Sequence, residues 1–218
     1  MENMGKVSVL VSGGLDSCVL MADHAQDSIV YPIYLQEGLK WEKSELKALK
    51  KFIKKIDNPN IQPLTIVQMP IAPFYLNHWS LTDEQVPGRD DPDSRVFLPG
   101  RNIILIGLAA VWCSTHDVNE VSIGSLDENP FPDATDEFFD EFGKILSKGL
   151  AYRVKVSAPY RGTKKHELIK KYCSLPLDLT LTCMDPQDLL HCGNCNKCRE
   201  RQDAFNIANV EDLTIYRN

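Results

Sequence analysis

Strand-like and helix-like segments alternate along most of this 218-residue chain. Runs enriched in apolar and β-branched residues predict strands at 6–11, 28–34, 64–69, 120–124 and 153–158. Helical spacing of apolar residues predicts helices at 17–25, 41–56, 101–114, 135–146 and 164–172. Because strands linked by helical crossovers lie side by side in parallel, we expect a Rossmann-like α/β fold, a five-stranded parallel sheet with helices on both faces. Ligands in such sheets bind beyond the carboxyl ends of the strands.

The segment 70–99 interrupts this alternation. It holds a charged Asp-Pro-Asp-Ser-Arg stretch and a set of turn-forming residues, namely Pro70, Pro73, Pro87, Gly88, Pro92 and Pro99. A connection of this length inside a domain is typical of a lid, a binding loop or a disordered insert. The sequence leaves these three possibilities open.

The charge and hydropathy patterns exclude several classes of partner. Lys plus Arg number 24 against 30 Asp plus Glu, a net charge of -6, which argues against a broad nucleic-acid surface. The first residues lack the basic and long apolar regions of a signal peptide. The longest apolar run, 103–113, is too short to cross a bilayer. We therefore expect a cytoplasmic protein without a membrane or a stable nucleic-acid partner, and a local basic pocket stays open as a possibility.

A pair of glycines follows the first predicted strand and precedes the first predicted helix. The string there reads Ser12, Gly13, Gly14, Leu15, Asp16, Ser17. Glycines let the backbone approach a ligand closely, and the free amides of a helix start bind anions. Because the loop has no lysine, it is not a Walker motif. The string predicts a phosphate site, in which Asp16 caps the helix or orients the loop or Mg²⁺.

Four of the seven cysteines crowd into the last part of the chain, at Cys183, Cys192, Cys195 and Cys198. Four thiolates saturate a tetrahedral zinc ion and form a closed structural site. An iron–sulfur cluster takes the same ligands and stays open as an alternative. His191 is either a bystander or a further ligand. Cys18 lies in an apolar helical pattern and is expected to be a buried hydrophobe.

These motifs together resemble two nested families. The string SGGLDS resembles the signature of the PP-loop ATP pyrophosphatases, whose loop binds the pyrophosphate part of ATP. Four segments in this order, SGGLDS, FLPGRN at 97–102, SIGSLDENPFPDATDEF at 122–138 and the cysteine cluster, resemble the 7-cyano-7-deazaguanine synthase family. The resemblance implies a nucleotide-binding catalytic domain at 1–180 and a zinc-binding segment at 181–218. It also implies a homodimer.

The resemblance implies a reaction as well. The family adenylates 7-carboxy-7-deazaguanine with ATP and Mg²⁺, adds ammonia to form an amide, then adenylates the amide and eliminates AMP to give the nitrile preQ0. It assigns residues 12–17 to ATP, together with Gly100, Arg101, Asn102 and Gly124, and it assigns the four cysteines to zinc. Arg101 would bind phosphate or the substrate carboxylate, with a helix-end ion pair as its alternative.

Two further residues receive roles by the same resemblance. Asp133 would bind the edge of a guanine-like base, or else cap the helix predicted at 135–146. Lys165 would contact phosphate, with Lys164 as the alternative. Arg101, Asp133 and Lys165 are thus the candidate catalytic residues.

The chain also departs from the family pattern near the expected substrate pocket. The family carries a Gln-Arg-His segment after its second strand, whereas Gln36, Glu37 and Gly38 stand here, and Ala134 replaces a cysteine after the proline-aspartate pair. These changes keep two alternatives open. One is a PP-loop ligase that amidates, conjugates or thiolates another acceptor, with Cys18 as the nucleophile for sulfur transfer. The other is a non-catalytic zinc module that binds nucleic acid through the basic stretch 197–201.

Overall fold

The computed structural model describes residues 4–82 and 84–217, and within them five strands form a single parallel sheet. The strands are β1 (Gly5–Leu10), β2 (Ser28–Gln36), β3 (Thr65–Gln68), β4 (Glu120–Ile123) and β5 (Lys155–Ser157). Their order across the sheet is β3-β2-β1-β4-β5, and every neighbouring pair is parallel. The α/β fold class predicted from the sequence is confirmed.

The five predicted helices are present, together with two that the sequence analysis did not predict. They are α1 (Leu15–His24), α2 (Glu42–Ile56), α3 (Ala72–Tyr75), α4 (Arg101–Thr115), α5 (Asp136–Leu150), α6 (Lys165–Lys171) and α7 (Asn196–Ala208). The short α3 and the 13-residue α7 were not among the sequence predictions. None of the helices in the described ranges is both long and apolar enough to span a membrane.

Two apolar cores cover the two faces of the sheet. Side chains alternate along a strand, so Val9 of β1 packs against one core and Leu10 against the other. The first core contains residues from α1, α2, α6 and α7, and the second contains residues from α4 and α5. The helices therefore sandwich the sheet, and α7 shares a core with the first helix of the chain.

The strand order creates a switch point beside β1. The chain leaves β1 for β2 on one side, and after β3 it crosses to β4 on the other side of β1. The loops that follow β1 and β4 therefore diverge, and a crevice opens between them at the carboxyl ends of the strands. This crevice is where the predicted phosphate loop, 12–17, lies.

The segment 70–99 is folded over this end of the sheet. Within its described residues it forms α3 and two 3-10 turns, Trp79–Leu81 and Asp93–Val96. Asn196, the first residue of α7, donates side-chain hydrogen bonds to the Asp91 carbonyl (3.2 Å) and to the Asp93 carboxylate (3.1 Å). The described residues of the segment are thus folded and tied to the C-terminal part of the chain, which argues against a disordered insert.

Candidate active site and metal centre

The loop between β1 and α1 is arranged as an anion site. Gly14 is the residue before the helix and no side chain caps the first amides of α1, which have no carbonyl acceptor in their own helix. The hydroxyl of Ser12 accepts the Gly14 N–H at 3.2 Å, and the hydroxyl of Ser17 accepts the Ser12 N–H at 3.1 Å. The two serines therefore hold the loop while the remaining amides at the helix start stay available to a phosphate.

Two glycines, Gly13 and Gly124, let the loop pack tightly against neighbouring backbone. Gly13 has a φ of +77°, and a Cβ there would lie 2.6 Å from the carbonyl oxygen of Glu45. Gly124, just after β4, would place a Cβ 3.0 Å from the Asp16 carbonyl carbon and 3.0 Å from the Ser17 nitrogen. Only glycine fits at either position without a shift of the loop.

Asp16 pairs with a lysine instead of capping the helix. Gly14 occupies the cap position, so the capping role expected for Asp16 was wrong. Its Oδ2 lies 3.5 Å from Nζ of Lys165, which also lies 3.5 Å from the Glu200 carboxylate. Burial alone would lower the pKa of Lys165, but the two carboxylates outweigh burial and raise it. Lys165 is therefore a fixed cation beside the loop, whereas Lys164 is solvent-exposed at the start of α6.

Arg101 faces the same crevice from the first turn of α4. Its guanidinium pairs with Glu37, which is 3% exposed, through Nε at 3.0 Å and through Nη2. Arg101 stays protonated in this pair. Burial alone would lower the pKa of Arg101, but the Glu37 carboxylate outweighs burial and raises it. The ion-pair alternative for Arg101 is thus realised, with a partner that the sequence analysis did not name.

Asp133 contacts the first turn of α4 and does not cap α5, the helix that follows Asp133 in the chain. Its carboxylate accepts the backbone N–H of Asn102 at 3.0 Å, and the Asn102 side chain donates to the Asp133 carbonyl at 2.9 Å. Thr135 caps α5 by accepting the Phe138 N–H, so the expected capping of α5 by Asp133 was wrong. Gly100, in a left-handed conformation, precedes α4. The assignment of Asp133 to base recognition stays a prediction.

Two connected cavities lie between these groups. The smaller, about 180 Å³, is lined by the ends of β1 and β2 and by α4, including Asn102. The larger, about 330 Å³, extends under the segment 70–99 and is walled by aromatic rings, Trp41, Trp79 and Phe131. Trp41 and Trp79 stack with ring centroids 5.6 Å apart. The larger cavity therefore offers flat apolar walls for a planar ring next to the phosphate loop.

The structure brings most of the predicted site residues together and adds one that sequence analysis missed. Four of the predicted residues line both cavities, namely Ser12, Ser17, Arg101 and Gly124. Three others line neither cavity, namely Gly13, Gly100 and Asp133. The missed residue is Glu45, in the first turn of α2, which lines both cavities and is 8% exposed. Glu45 is one of two glutamates in the first turn of α2, and this is a weak sequence signal because helix starts favour acidic residues in any case.

The four predicted cysteines form one buried cluster. The Sγ atoms of Cys183, Cys192, Cys195 and Cys198 lie within 4.8 Å of one another. Cys192 and Cys198 are 3.8 Å apart at sulfur, which equals the edge of about 3.8 Å expected for a tetrahedron with Zn–S bonds of about 2.3 Å. Backbone N–H groups donate to Cys183 and Cys192 sulfurs, as they do to thiolates. This donor set fits a metal ion such as zinc.

His191 lies outside this cluster. Its Nε2 accepts the backbone N–H of Thr182 at 3.3 Å, and the group of four potential ligands does not include it. The expectation that His191 is a bystander agrees with this arrangement.

Two features that supported alternative functions are buried in internal contacts. Arg201, in the basic stretch 197–201, is 1% exposed and donates to Thr214, Thr180 and the Leu177 carbonyl at 2.7–2.9 Å. Cys18 is fully buried, and burial raises the pKa of its thiol. Neither residue offers the surface that nucleic-acid binding or thiolate attack would need.

Comparison with known proteins agrees with this geometry. A protein-family profile described as "Queuosine biosynthesis protein QueC" matches residues 6–209. A 7-cyano-7-deazaguanine synthase of Methanocaldococcus jannaschii is 30% identical, with 97% of this chain and 99% of the relative covered. Enzymes of the same name from Methanobrevibacter smithii (28% identity, 97% of each chain) and Pseudomonas aeruginosa (26%, 98% and 99%) match over similar lengths.

Proposed function

Because this chain belongs to the QueC family of queuosine biosynthesis proteins, we infer that it is a 7-cyano-7-deazaguanine synthase. The reaction converts 7-carboxy-7-deazaguanine and ammonia into 7-cyano-7-deazaguanine. The observation that carries this conclusion is the length of the match, which includes the loop 12–17, the lysine on α6 and all four clustered cysteines.

ATP supplies the driving force in this proposal, and the loop 12–17 holds its departing pyrophosphate. A carboxylate oxygen attacks the α-phosphorus, the bond to the β-phosphate oxygen breaks, and charge accumulates on the leaving group. Amides at the start of α1 and the fixed cation Lys165 are positioned to stabilise that charge. Asp16 fits a Mg²⁺ ligand, since its buried Oδ1 has no hydrogen-bond partner among the described residues. The bound ion would neutralise phosphate charge.

The remaining chemistry consists of one addition and one dehydration. Ammonia displaces AMP from the acyl adenylate to give the primary amide. A second ATP adenylates the amide oxygen, and elimination of AMP leaves the nitrile. We place the deazaguanine ring in the larger cavity, because Trp41, Trp79 and Phe131 offer flat walls there beside the loop.

The cysteine cluster would hold a single structural Zn²⁺. All four sulfurs are protein ligands, so the ion has no open position at which to bind water or substrate. Its contribution in this proposal is to fold segment 181–218 against the catalytic domain. The division of the chain at residue 180 remains part of this proposal.

We also propose a cytoplasmic homodimer. Apolar side chains on α4 and α5 reach the surface, with Ile103 47%, Val111 50% and Ile145 65% exposed. A helix that is apolar on nearly every side favours burial, and a second copy of the chain would cover its open face.

A ligase acting on a different acceptor is not favoured, since the named relatives match over nearly the whole chain. Glu37 still distinguishes this chain from the Gln-Arg-His pattern, so the acceptor deserves a direct test. Purified protein is incubated with 7-carboxy-7-deazaguanine, ATP, Mg²⁺ and ammonium. We expect AMP, pyrophosphate and a nitrile product, detected by phosphorus NMR and mass spectrometry.

Adjacent lysines provide the matched control for this experiment. Lys165→Met removes the buried cation beside Asp16 and should lower kcat/KM about 100- to 1000-fold, the usual loss for one preorganised charge-stabilising group. Lys164→Met removes an exposed neighbour and should leave turnover near that of the unchanged protein. Cleavage of ATP with another carboxylate but not with this one would replace the proposed substrate.

A further inference from the structure

The two cavities adjoin at a passage, which is formed by the residues that line both. The shared wall consists of Ser12, Ser17, Glu45, Arg101, Gly124 and Asn129. A nucleotide beside the loop and an acceptor in the larger cavity would react where the two spaces join. At neutral pH a hydroxyl, a glycine, an amide and a guanidinium do not accept protons, so Glu45 is the one member of this set that can serve as a base.

The proposed reaction needs such a base. In the tetrahedral adduct the nitrogen of ammonia carries three protons, and the nitrile nitrogen carries none. One proton is lost when the amide forms, one when the amide oxygen is adenylated, and one when AMP is eliminated. Each loss occurs at the same nitrogen atom, so a single fixed acceptor beside that atom serves all three.

The other acidic side chains along the cavities already have strong partners. Asp16 and Glu200 share the ammonium group of Lys165. Glu37 is paired with Arg101. Glu45, by contrast, takes part in no ion pair among the residues that the structure describes, and its Oε2 accepts a single hydrogen bond, from the Tyr34 hydroxyl at 2.9 Å. A carboxylate with one free oxygen at the passage is suited to take a proton.

The surroundings tune Glu45 for this task. Burial raises its pKa to about 8, although the Tyr34 hydrogen bond and the charge of Arg101 act in the opposite direction. The other charged groups that face it are Glu37 and Glu42, which add to the rise, while Asp16 and the thiol of Cys18 lie on the neighbouring α1. A base whose pKa lies near the working pH transfers protons most effectively in both directions.

We propose that Glu45 is the general base that removes protons from the attacking ammonia and from the amide nitrogen. This inference rests on the proposed function. In the first step the ammonia lone pair forms the C–N bond, Glu45 takes one N–H proton, and the C–O bond to AMP breaks. In the second half Glu45 takes the remaining N–H protons as the C≡N bond forms and AMP leaves, and it releases each proton to solvent between steps.

The test follows each chemical step in the Glu45→Gln variant. Glutamine keeps an oxygen that can accept the Tyr34 hydrogen bond, so the local fold should persist, and unchanged near-ultraviolet circular dichroism checks it. We expect ATP–pyrophosphate exchange driven by the carboxylate to survive, while amide formation slows at least about 100-fold. Hydroxylamine is a less basic amine whose adduct loses its proton more readily, so the variant's loss should be smaller with it. Glu211→Gln, at an exposed carboxylate that lines neither cavity, is the control and should retain near-normal amide formation.

The pH profile separates a base from a structural residue. At a fixed concentration of free ammonia, the unchanged enzyme should gain rate as pH rises toward 8, and Glu45→Gln should lack that limb. Tyr34→Phe removes a hydrogen bond that lowers the pKa of Glu45, so the limb should move to higher pH with the carboxylate still present.

The outcomes discriminate between the two proposals. Normal amide formation by Glu45→Gln in an enzyme that otherwise makes the nitrile overturns the role of Glu45 and leaves the proposed function intact. A limb that Tyr34→Phe does not move also overturns it. If the unchanged protein makes no amide from the carboxylate, the proposed function fails and the role of Glu45 fails with it.

Discussion

A single methyl group added at Gly124 should lower the affinity of the loop 12–17 for ATP. This glycine follows β4 and touches the backbone of α1 at its first turn. Its Cβ would lie 3.0 Å from two backbone atoms there, the Asp16 carbonyl carbon and the Ser17 nitrogen. Backbone atoms cannot rotate aside as a side chain would, so the loop must shift by a few tenths of an ångström to admit the methyl group.

The size of the effect follows from the cost of overpacking. Inserting a methyl group into a tightly packed contact costs about 1–3 kcal/mol. If that cost falls on the loop conformation that binds phosphate, ATP affinity drops about 5- to 150-fold, since about 1.4 kcal/mol corresponds to a tenfold change. If part of it falls on the fold, the melting temperature drops as well. We expect Gly124→Ala to show both changes, with the larger one in ATP binding.

Gly107 provides the matched control within the same protein. It lies inside α4, and a Cβ there meets no atom within 4 Å. Gly107→Ala should therefore stabilise the helix by up to about 1 kcal/mol and leave ATP binding unchanged. Calorimetric titration with a non-cleavable ATP analogue and thermal unfolding measure the two quantities. A Gly124→Ala protein that binds the analogue as tightly as the unchanged protein would refute the idea that this contact determines the conformation of the loop.

Three further predictions concern stability. Asp133→Ala should lower the free energy of unfolding by about 0.5–2 kcal/mol, because the first turn of α4 loses the acceptor of the Asn102 N–H; equal urea midpoints would contradict this. Cys198→Ser should lower the bound zinc below one ion per chain and the melting temperature with it, and an unchanged metal content by mass spectrometry would contradict that. Between pH 4.5 and 8 the folded state binds an extra proton at Glu45, so unfolding free energy should fall with rising pH by up to about 1.4 kcal/mol per unit relative to Glu45→Gln. Parallel slopes for the two proteins in pH-dependent denaturation would contradict this prediction.

Periodicity predicted the framework of the fold because each element is governed by local pattern. The 15-residue α2 places apolar residues on one face and lysines on the other, and its predicted bounds, 41–56, differ from the observed start by one residue. The β1–loop–α1 unit was equally predictable, because the complete string SGGLDS after a strand is far more specific than a glycine pair alone.

The C-terminal helix escaped prediction for a physical reason. Several of the residues that α7 buries are polar, among them Asn196 and Arg201, so the apolar stripe that normally marks a helix begins only at Ala204. Arg201 is satisfied by hydrogen bonds to residues 13 to 24 positions away. Such partners depend on the tertiary fold, and no local pattern in the sequence indicates them.

The same limit applies to the wall of the candidate site. Arg101 was predicted as a site residue, but its partner Glu37 lies 64 positions earlier and meets it only because β2 ends and α4 begins at the same edge of the sheet. Glu45 gained its role from burial against Tyr34 and the loop, which the sequence does not reveal. Residue type and order thus predicted which residues lie at the site. The charge pairing and burial of those residues were visible only in the structure.

The cysteine cluster and the loop 12–17 are joined by direct contacts. Leu181, two residues before the first cysteine ligand, donates its N–H to the Gly13 carbonyl at 2.8 Å. Glu200, two residues after the last, shares Lys165 with the loop. Both ends of the cysteine-containing segment therefore brace the loop, one through its backbone and one through its cation. In the proposed reaction, loss of the metal would therefore release both contacts together, so that a closed structural site would still influence where the loop holds pyrophosphate.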